Sequence, residues 1–231
     1  MNKPKHIGII MDGNRRFAKS LNLNPSKGHE YGEKKVFLLL DWCLELKIQE
    51  ITIYAFSAQN KNRPKIEFNY LMKLFLNAAN KILKDEKKLN SGVKIKIIGD
   101  IKIFPETVQK KLNELEEKTK QNKKYKLNIA LGYGGREEII HSVKKIANQI
   151  KKGTLKPENI TEKTINKELY LQTEPDLIIR TGGDHRTSNF LPWQSIYSEW
   201  FFLEKKWPEF EKEDLKECIN QYAKRERRFG K

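Results

Sequence analysis

The sequence predicts an α/β fold: a single domain over residues 1–231, with a central, mostly parallel six-stranded sheet flanked by helices. Three observations lead to this prediction. Short apolar runs rich in β-branched residues alternate with longer segments of helical periodicity. Several of the runs are continuously apolar, as expected of parallel strands covered on both faces. No glycine- or serine-rich linker and no internal repeat divides the chain.

The predicted strands are the short apolar runs, such as Ile-Gly-Ile-Ile-Met near the start of the chain and Ile-Thr-Ile-Tyr-Ala-Phe near residue 54. Their length and their content of β-branched and aromatic residues are typical of buried strands. The six strands are predicted at His6–Met11, Glu50–Phe56, Val93–Gly99, Lys126–Leu131, Asp176–Arg180 and Glu199–Leu203.

Helical patterns fill the intervals between these strands. Such an alternation of strand and helix favours a parallel sheet, because each crossover between parallel strands needs a connection of this length. A helix start is also expected at the arginine pair after Gly13. The helices are predicted at residues 28–47, 66–90, 105–120, 136–152, 161–170 and 212–227.

Composition limits the cellular setting of the protein. A hydrophobic fraction of 38% fits a folded globular chain. No run approaches the ~18 apolar residues of a membrane span, and the polar N-terminus lacks the apolar core of a signal peptide. We therefore expect a cytoplasmic protein, at most peripheral at the inner face of the membrane. Cys43 and Cys218 are predicted to be buried thiols, not a disulfide or a metal site.

The formal net charge of +16 does not by itself identify a partner. Most of the basic residues are lysines spread over nearly every helical segment, a distribution typical of solvated surfaces. Only nine are arginines. The planar fork of arginine suits bidentate phosphate binding in a way that lysine does not. The positions of the arginines are therefore more informative than the total charge.

Six of the nine arginines lie at or beside the carboxyl ends of predicted strands. In open α/β sheets, ligands bind outside these ends. The arrangement therefore predicts an anion site at one edge of the sheet. The six residues are Arg15, Arg16, Arg63, Arg136, Arg180 and Arg186.

The segment Met-Asp-Gly-Asn-Arg-Arg at residues 11–16 follows the first strand. Gly13 permits close approach of a ligand, and amide groups at a helix start favour phosphate oxygens. A carboxylate beside two arginines suits Mg²⁺, which binds one or two carboxylates together with phosphate oxygens. Asp12 is thus a candidate metal ligand. The alternative role, a helix N-cap, is equally compatible with this segment alone.

The segment Arg180–Asn189 combines two arginines, hydroxyl groups, an imidazole and two glycines, which suits a diphosphate better than an ordinary polar turn. Ser188 has no G-x-S-x-G context, which argues against a hydrolase nucleophile. The sequence also lacks a P-loop, an intact dinucleotide fingerprint and zinc-ligand spacing. Taken alone, His29 would be interpreted as a core or capping histidine.

Together these motifs resemble the cis-prenyltransferase family, over nearly the whole chain. The combination of an N-terminal MDGN with RTGG-x-HR-x-SNF is highly specific. The DD-x-x-D pairs of trans-type prenyl synthases are absent. The matching segments are HIGIIMDGNRRFAK, GH at 28–29, YAFS at 54–57, NRP at 62–64, NIALGYGGR at 128–136, RTGGDHRTSNFLPWQ at 180–194, SEWFF at 198–202 and RERRFG at the end.

The resemblance implies an enzyme that uses Mg²⁺ to condense isopentenyl diphosphate with an allylic diphosphate, farnesyl diphosphate. The implied product is a long-chain polyprenyl diphosphate, undecaprenyl diphosphate, for the lipid carrier of cell-wall synthesis. It further implies a homodimer without nucleic acid as a partner. Contact with a membrane surface would be transient, for release of the product.

By the same resemblance, Asp12 binds the metal next to the allylic diphosphate, Glu199 supports metal or substrate binding, and His29 assists departure of the diphosphate. Asn60 is a candidate catalytic residue, although the proton acceptor stays open between the bound diphosphate, Asp12 and Asn60 through water. The implied allylic-site residues are Gly13, Asn14, Arg15, Arg16 and Lys27. The implied isopentenyl-site residues are Arg63, Arg180, Arg186 and Ser188. Phe56, Ser57 and Asn60 line the space between them, and Arg228 and Gly230 reach the site across the dimer interface.

Two positions depart from the family pattern. Pro25 stands where an arginine often precedes the Gly-His pair, and Lys27 is the expected substitute. Lys61 replaces an aromatic residue after the second strand. Six apolar residues at helical spacing are compatible both with a tunnel for the growing chain and with an ordinary core, so no tunnel residue is assigned. They are Val36, Phe37, Leu40, Leu71, Phe75 and Leu76.

Two other functions fit the sequence less well. A nucleic-acid-binding protein would need an extended basic face with stacking aromatics, whereas these arginines gather at strand ends. A catalytically silent family member should lack the metal carboxylate or the arginine pair. This chain has Asp12, Arg180 and Arg186.

Overall fold

The computed structural model describes residues 3–225. They form one six-stranded sheet in which all strands are parallel, in the order β3-β4-β2-β1-β5-β6. This confirms the predicted α/β class and sharpens "mostly parallel" to wholly parallel. The strands are β1 (His6–Ile10), β2 (Glu50–Ser57), β3 (Val93–Ile98), β4 (Tyr125–Tyr133), β5 (Leu177–Arg180) and β6 (Glu199–Phe202).

Of the eight α-helices of the described chain, seven lie between strands and the last follows β6. The predicted helix at 66–90 is interrupted at Asp85, whose side chain accepts a hydrogen bond from the backbone N–H of Lys88 and caps a new short helix. The helices are α1 (Asn14–Ser20), α2 (Pro25–Glu45), α3 (Lys65–Leu83), α4 (Glu86–Leu89), α5 (Glu106–Thr119), α6 (Gly135–Lys151), α7 (Glu162–Glu168) and α8 (Lys212–Lys224).

Both faces of the sheet are covered, which is why its strands are continuously apolar. On one face, Ile7 and Ile9 of β1 belong to a core cluster with Leu39 of α2 and Leu215 of α8. On the other face, Ile10 packs in a cluster with residues 170–171 and 190–191. Cys43 and Cys218 are buried free thiols, and burial raises the pKa of each to about 12. Within the described chain, no helix is long and apolar enough to cross a bilayer.

The close crossing of α1 and α2 places the residues that follow β1. A Cβ atom at Gly28 would lie 1.9 Å from the carbonyl oxygen of Asn14, and one at Gly32 would lie 2.3 Å from its side-chain oxygen. Any larger residue at either position would push the helices apart. The two glycines of α2 therefore fix the position of Asn14 and of the arginine pair that follows it.

Candidate functional site

The site is built on the adjacent carboxyl ends of β1 and β5, where Ile10 and Arg180 are paired in register. The two strands then lead into loops that are bonded to each other. The N–H of Asp12 donates to Thr181 Oγ1 (3.1 Å), and the Thr181 hydroxyl donates to the carbonyl of Asp12 (2.9 Å). Residues 169 positions apart in the sequence are thus held at one place.

Arg180 lies beneath this site, with only 2% of its surface exposed. Its Nη2 donates to Asp12 Oδ2 (2.7 Å), and its Nη1 donates to Ser188 Oγ (2.7 Å) and to the carbonyl of Arg186. Its Nε is buried without a hydrogen-bond partner among the described residues. The guanidinium therefore holds the segment that follows β1 and the loop that follows β5 together from below.

Two carboxylates and three guanidinium groups form the charged centre of the site. Asp184 accepts both Nη atoms of Arg186 (2.9 and 3.0 Å) and Arg16 Nη2 (3.1 Å), while Arg16 also lies 3.4 Å from Asp12. The hydrogen bond from Arg186, with the nearby charges of Arg16 and Arg180, holds the pKa of Asp184 below its usual range. The centre keeps a net positive charge and is open to an anion.

A cleft of about 730 Å³ lies on the α1 side of this centre. Four residues that the resemblance assigns to an allylic site line it together with Asp12, namely Gly13, Asn14, Arg15 and Arg16. Its wall continues with Lys19, Leu23, Pro25, His29, Arg63, Asp184 and Arg186.

Lys27 was expected to replace a missing arginine, but the structure places it elsewhere. Its Nζ is paired with Glu30 (2.9 Å) on the exposed side of α2, and it is not part of the cleft wall. Since Lys19 does line the cleft, it is the lysine available to an anion there. Lys19 lies one turn after Arg15 on α1, a periodicity that could have indicated it from the sequence.

A second cleft of about 610 Å³ lies on the β2 side. Its lining includes Phe56, Ser57, Asn60, Arg180 and Ser188. Asn60 also accepts the N–H of Ser57 through its Oδ1 (3.1 Å), so that it closes the turn at the cleft. The two clefts share a wall made of Met11, Asp12, Asn14, His29, Arg63 and Arg186.

Of the six arginines expected at the anion site, Arg136 is the exception. It lines neither cleft. It lies in the first turn of α6, where its backbone N–H donates to Asn189 Oδ1 (2.9 Å). The other five line one cleft or both.

His29 and Arg63 meet at the shared wall with Glu67, which the sequence did not single out. Arg63 Nη1 donates to Glu67 Oε1 (2.6 Å), and His29 Nε2 lies 3.3 Å from the same oxygen. Burial lowers the pKa of His29, and the charge of Arg63 lowers it further. Burial alone would raise the pKa of Glu67, but Arg63 and His29 bring it below its ordinary value. His29 is therefore neutral at pH 7, beside an ion pair.

An apolar cavity of about 140 Å³ opens from this wall between α2, α3 and the sheet. Asn14 and His29 line both the cavity and the clefts, so the charged and apolar spaces are continuous. Five of the residues considered as tunnel or core candidates line it, namely Val36, Phe37, Leu40, Leu71 and Phe75, whereas Leu76 does not.

The chemistry of the donor set at the centre fits Mg²⁺ as a shared ion. Asp12 offers carboxylate oxygens that line both clefts, and Asp184 stands beside the same arginines. Among the residues that the structure describes, no group of three or more His, Cys, Asp or Glu side chains could hold a metal. An ion bound here would therefore need oxygens from a ligand, as Mg²⁺ commonly does.

Glu199 was expected to support the metal, but a single chain does not bring it to Asp12. It begins β6 opposite Leu177, which is at the amino edge of the sheet, while Asp12 follows the carboxyl edge. Its carboxylate is bonded to Arg225 instead. The expected contributions of Arg228 and Gly230 fall outside the described residues.

Comparisons with known proteins agree with this geometry. A family model described as putative undecaprenyl diphosphate synthase matches residues 10–230. A tritrans,polycis-undecaprenyl-diphosphate synthase (geranylgeranyl-diphosphate specific) of Methanopyrus kandleri is 44% identical, over 99% of this chain and 85% of its own. An isoprenyl transferase of Thermus thermophilus is 43% identical, over 99% of this chain and 89% of its own.

The fold is also shared with solved structures. Lavandulyl diphosphate synthase from Lavandula x intermedia, in complex with dimethylallyl diphosphate, superposes with a TM-score of 0.92 at 32% identity, covering 99% of each chain. A probable undecaprenyl diphosphate synthase from Campylobacter jejuni gives 0.82 at 32% identity, covering 100% of each. The chain is therefore a prenyltransferase and belongs to the undecaprenyl diphosphate synthase family.

Proposed function

We propose that this enzyme catalyses Mg²⁺-dependent cis-prenyl chain elongation, in which isopentenyl diphosphate is condensed with an allylic diphosphate. The observation that carries the proposal is the pair of clefts that share the wall of Asp12, Arg63 and Arg186 and open, at Asn14 and His29, into an apolar cavity. Such a site suits two diphosphates side by side with a hydrocarbon chain leading away from them.

The allylic diphosphate is assigned to the α1-side cleft. There the N-terminal turn of α1 presents Gly13, Asn14 and Arg16, with Arg15 and Lys19 beside them. Its hydrocarbon would enter the apolar cavity past Asn14 and His29. Burial of apolar surface at about 25 cal/mol per Å² favours this placement over exposure to water.

Isopentenyl diphosphate is assigned to the β2-side cleft, with Arg186 and Ser188 as direct contacts and Arg63 between the two substrates. Arg180 holds Asp12, Ser188 and the backbone of Arg186 in place from below. Phe56, Ser57 and Asn60 border the space where the two reacting carbons would meet.

The chemistry follows from this arrangement. The bond between the allylic carbon and its diphosphate oxygen breaks, and Arg16, Arg63 and Arg186 stabilise the negative charge that develops on the departing group. When bound at Asp12, Mg²⁺ would supply further neutralisation of that charge. The double bond of isopentenyl diphosphate, held by its own diphosphate, attacks the electron-deficient carbon. A proton of the isopentenyl unit then passes to the diphosphate, to Asp12 or, through water, to Asn60, and its C–H electron pair completes the new double bond.

The starter and the product are also part of the proposal. The sequence resemblance implied farnesyl diphosphate, whereas the names of the Methanopyrus kandleri and Thermococcus kodakarensis relatives specify geranylgeranyl diphosphate. We assign one of these two allylic diphosphates, farnesyl or geranylgeranyl diphosphate, as the starter and undecaprenyl diphosphate as the product. An assay that offers each starter with labelled isopentenyl diphosphate, and resolves product length, decides between the two.

A homodimer and transient contact of the apolar product with a membrane surface complete the proposal. In the dimer, Arg228 and Gly230 of the chain's end would reach the neighbouring site. Light scattering of the purified protein would test the dimer directly.

The test of the metal role is Asp12→Ala. We expect turnover at saturating Mg²⁺ to fall by about 100-fold or more, because the ion loses its protein ligand. Since Asp12 also pairs with Arg180, the milder Asp12→Asn variant should be measured in parallel, with circular dichroism to verify the fold. Asp41→Ala, at an exposed position of α2, is the control. Turnover retained by both Asp12 variants would refute the metal role.

A further inference from the structure

Asn189, in the loop that follows β5, is bonded to the first turn of α6. Its carbonyl accepts the N–H of Gly135 (2.8 Å), its Oδ1 accepts the N–H of Arg136 (2.9 Å), and its Nδ2 donates to Glu137 Oε2 (2.9 Å). Ser188 and Asn189 both have positive φ values, 49° and 63°. Because non-glycine residues rarely adopt this conformation, the contacts of Asn189 help to maintain it, together with the hydrogen bond from Arg180 to Ser188 Oγ.

The other carboxylate oxygen of Glu137, Oε1, accepts a hydrogen bond from a different segment. Gln59 Nε2 donates to Glu137 Oε1 (3.0 Å). Gln59 lies in the 3-10 turn Ala58–Asn62, which is directly followed by Arg63. Glu137 therefore joins the segment that carries Asn60 and Arg63 to the segment that carries Arg186 and Ser188.

The backbone leaves room for this bridge. A Cβ atom at Gly134 would lie 2.1 Å from Glu137 Oε2 and 2.8 Å from Asn189 Nδ2. The absence of a side chain at position 134 thus allows the carboxylate to reach both partners. Glu137 itself lines neither cleft, so any effect it has on the substrates must pass through Gln59 and Asn189.

We propose that Glu137 is a positioning residue that sets the width of the β2-side cleft by holding Gln59 and Asn189 at a fixed separation. Gln59 and Asn189 belong to two different segments of the chain, and both line that cleft. If the bridge is broken, the turn Ala58–Asn62 moves away from the loop of Ser188. The ligand of this cleft, assigned above as isopentenyl diphosphate, then loses simultaneous contact with Arg63 and Arg186.

The chemistry of the Gln59–Glu137 pair provides a sharp test. Gln59→Glu would place two carboxylates face to face, which are repelled and cannot donate to each other. The double variant Gln59→Glu with Glu137→Gln restores a hydrogen bond of opposite polarity. We expect Gln59→Glu and Gln59→Ala to raise KM for isopentenyl diphosphate about fivefold, the size of one lost hydrogen bond. In the double variant KM should return to within about twofold of wild type.

Two features separate positioning from a general loss of stability. KM for the allylic starter and the melting temperature should stay near the wild-type values in the Gln59 variants, because Gln59 lies in a surface turn. Lys144→Ala, at an exposed position of the same helix, is the matched control and should change neither KM. If KM for isopentenyl diphosphate is unchanged in the single variants, or stays raised in the double variant, the proposal is wrong.

A second readout does not depend on activity. Lys61 is exposed within the turn, so that trypsin cleavage after it reports how often the turn leaves α6. Cleavage should be faster in Gln59→Glu and return toward the wild-type rate in the double variant; equal rates in all three would overturn the bridge. Only the KM measurements rest on the proposed reaction; the cleavage rates do not. A wild-type enzyme that forms no product would refute the proposed function, while the order of cleavage rates would still test the bridge.

Discussion

Arg180 ends β5 and Arg186 lies six positions further on, in the loop that follows, and their surroundings give them different roles. Arg180 is buried and all its described contacts are to the protein, whereas the side chain of Arg186 is 61% exposed and paired with Asp184 at the cleft. A substrate diphosphate can compete with Asp184 for Arg186 at little cost, since exposed ion pairs contribute only about 0–1 kcal/mol. Arg180 is not available to be exchanged in this way.

Lysine substitution should separate these tasks. Arg180→Lys leaves Asp12, Ser188 and the carbonyl of Arg186 competing for one ammonium group, and we expect the free energy of unfolding to fall by about 3 kcal/mol. Arg186→Lys should change it by less than about 1 kcal/mol while raising KM for isopentenyl diphosphate. Urea unfolding and steady-state kinetics of the two variants provide the comparison. Equal stability losses would contradict the division of roles.

The two lysines near the allylic site also differ in surroundings. Lys19 lines the α1-side cleft, whereas Lys27 is paired with Glu30 outside it. We expect Lys19→Ala to raise KM for the allylic diphosphate about threefold, since one exposed charge pair is worth under about 1 kcal/mol. Lys27→Ala should leave this KM unchanged. The reverse order would restore Lys27 to the role that the sequence suggested.

The elements of the sheet were largely predictable, because continuously apolar runs bounded by helical segments have few alternative structures. The strand bounds differ from the prediction by a residue or two at the ends. The break in the helix at 66–90 was not predicted, because it depends on a local cap at Asp85. The position of Glu199 was available from the predicted strand itself, because a residue that begins a parallel strand lies at the edge opposite the site.

The amino edge of the sheet carries a different polar feature from the carboxyl edge. His6 of β1 is buried and its Nε2 lies 2.8 Å from Thr52 Oγ1 of β2. Asn128 of β4 donates to Glu50 (2.8 Å) and to Thr52 (3.0 Å), which extends the network across three strands. Burial lowers the pKa of His6, against the opposing charge of Glu50.

This network predicts a pH dependence of stability. Since the pKa of His6 is lower in the folded state than the unfolded value of about 6.5, the unfolded chain gains a proton first as the pH falls below 6.5. The free energy of unfolding should therefore fall by about 1 kcal/mol per buried histidine between pH 7.5 and 5.5. Glu50 does not contribute in this window, because its pKa lies below its ordinary value of 4.5.

Urea unfolding at the two pH values checks this expectation. His29, whose pKa is also lowered, contributes in the same direction, so His6→Gln should reduce the loss by about half. His185→Gln, at a largely exposed side chain, is the control. A wild-type stability that is unchanged, or higher, at pH 5.5 would contradict the prediction.

At the scale of the whole molecule, the strand-end rule identified the charged centre because it depends only on chain direction and strand order. It could not identify Asp184 or Glu67, since single charged residues in a chain with 46 basic and 30 acidic side chains carry no pattern of their own. Helical periodicity also could not distinguish residues that line the apolar cavity from residues of the ordinary core. Val36 and Leu76 show the same helical spacing, but only Val36 lines the apolar cavity.

The cavity runs along the strands, from Leu131 near the carboxyl edge to Leu127 near the amino edge of β4. This span of four residues is about 13 Å long. At about 140 Å³ the cavity is smaller than the ~300 Å³ at which ligand pockets usually begin, so a long prenyl chain requires α2 and α3 to move apart. Product length should therefore depend on the space between these two helices.

Ala78 of α3 lines the cavity and gives the test. Ala78→Phe fills part of the space that the chain would enter, while both clefts stay as they are. We expect products shortened by several isoprene units, with KM for isopentenyl diphosphate within about twofold of wild type, because overpacking of about 1–3 kcal/mol acts on the chain and not on the diphosphates. Mass spectrometry of the products measures this directly. Leu38→Phe, at a position of α2 that is 45% exposed, controls for added bulk. If Ala78→Phe yields products as long as wild type, the growing chain does not occupy this cavity.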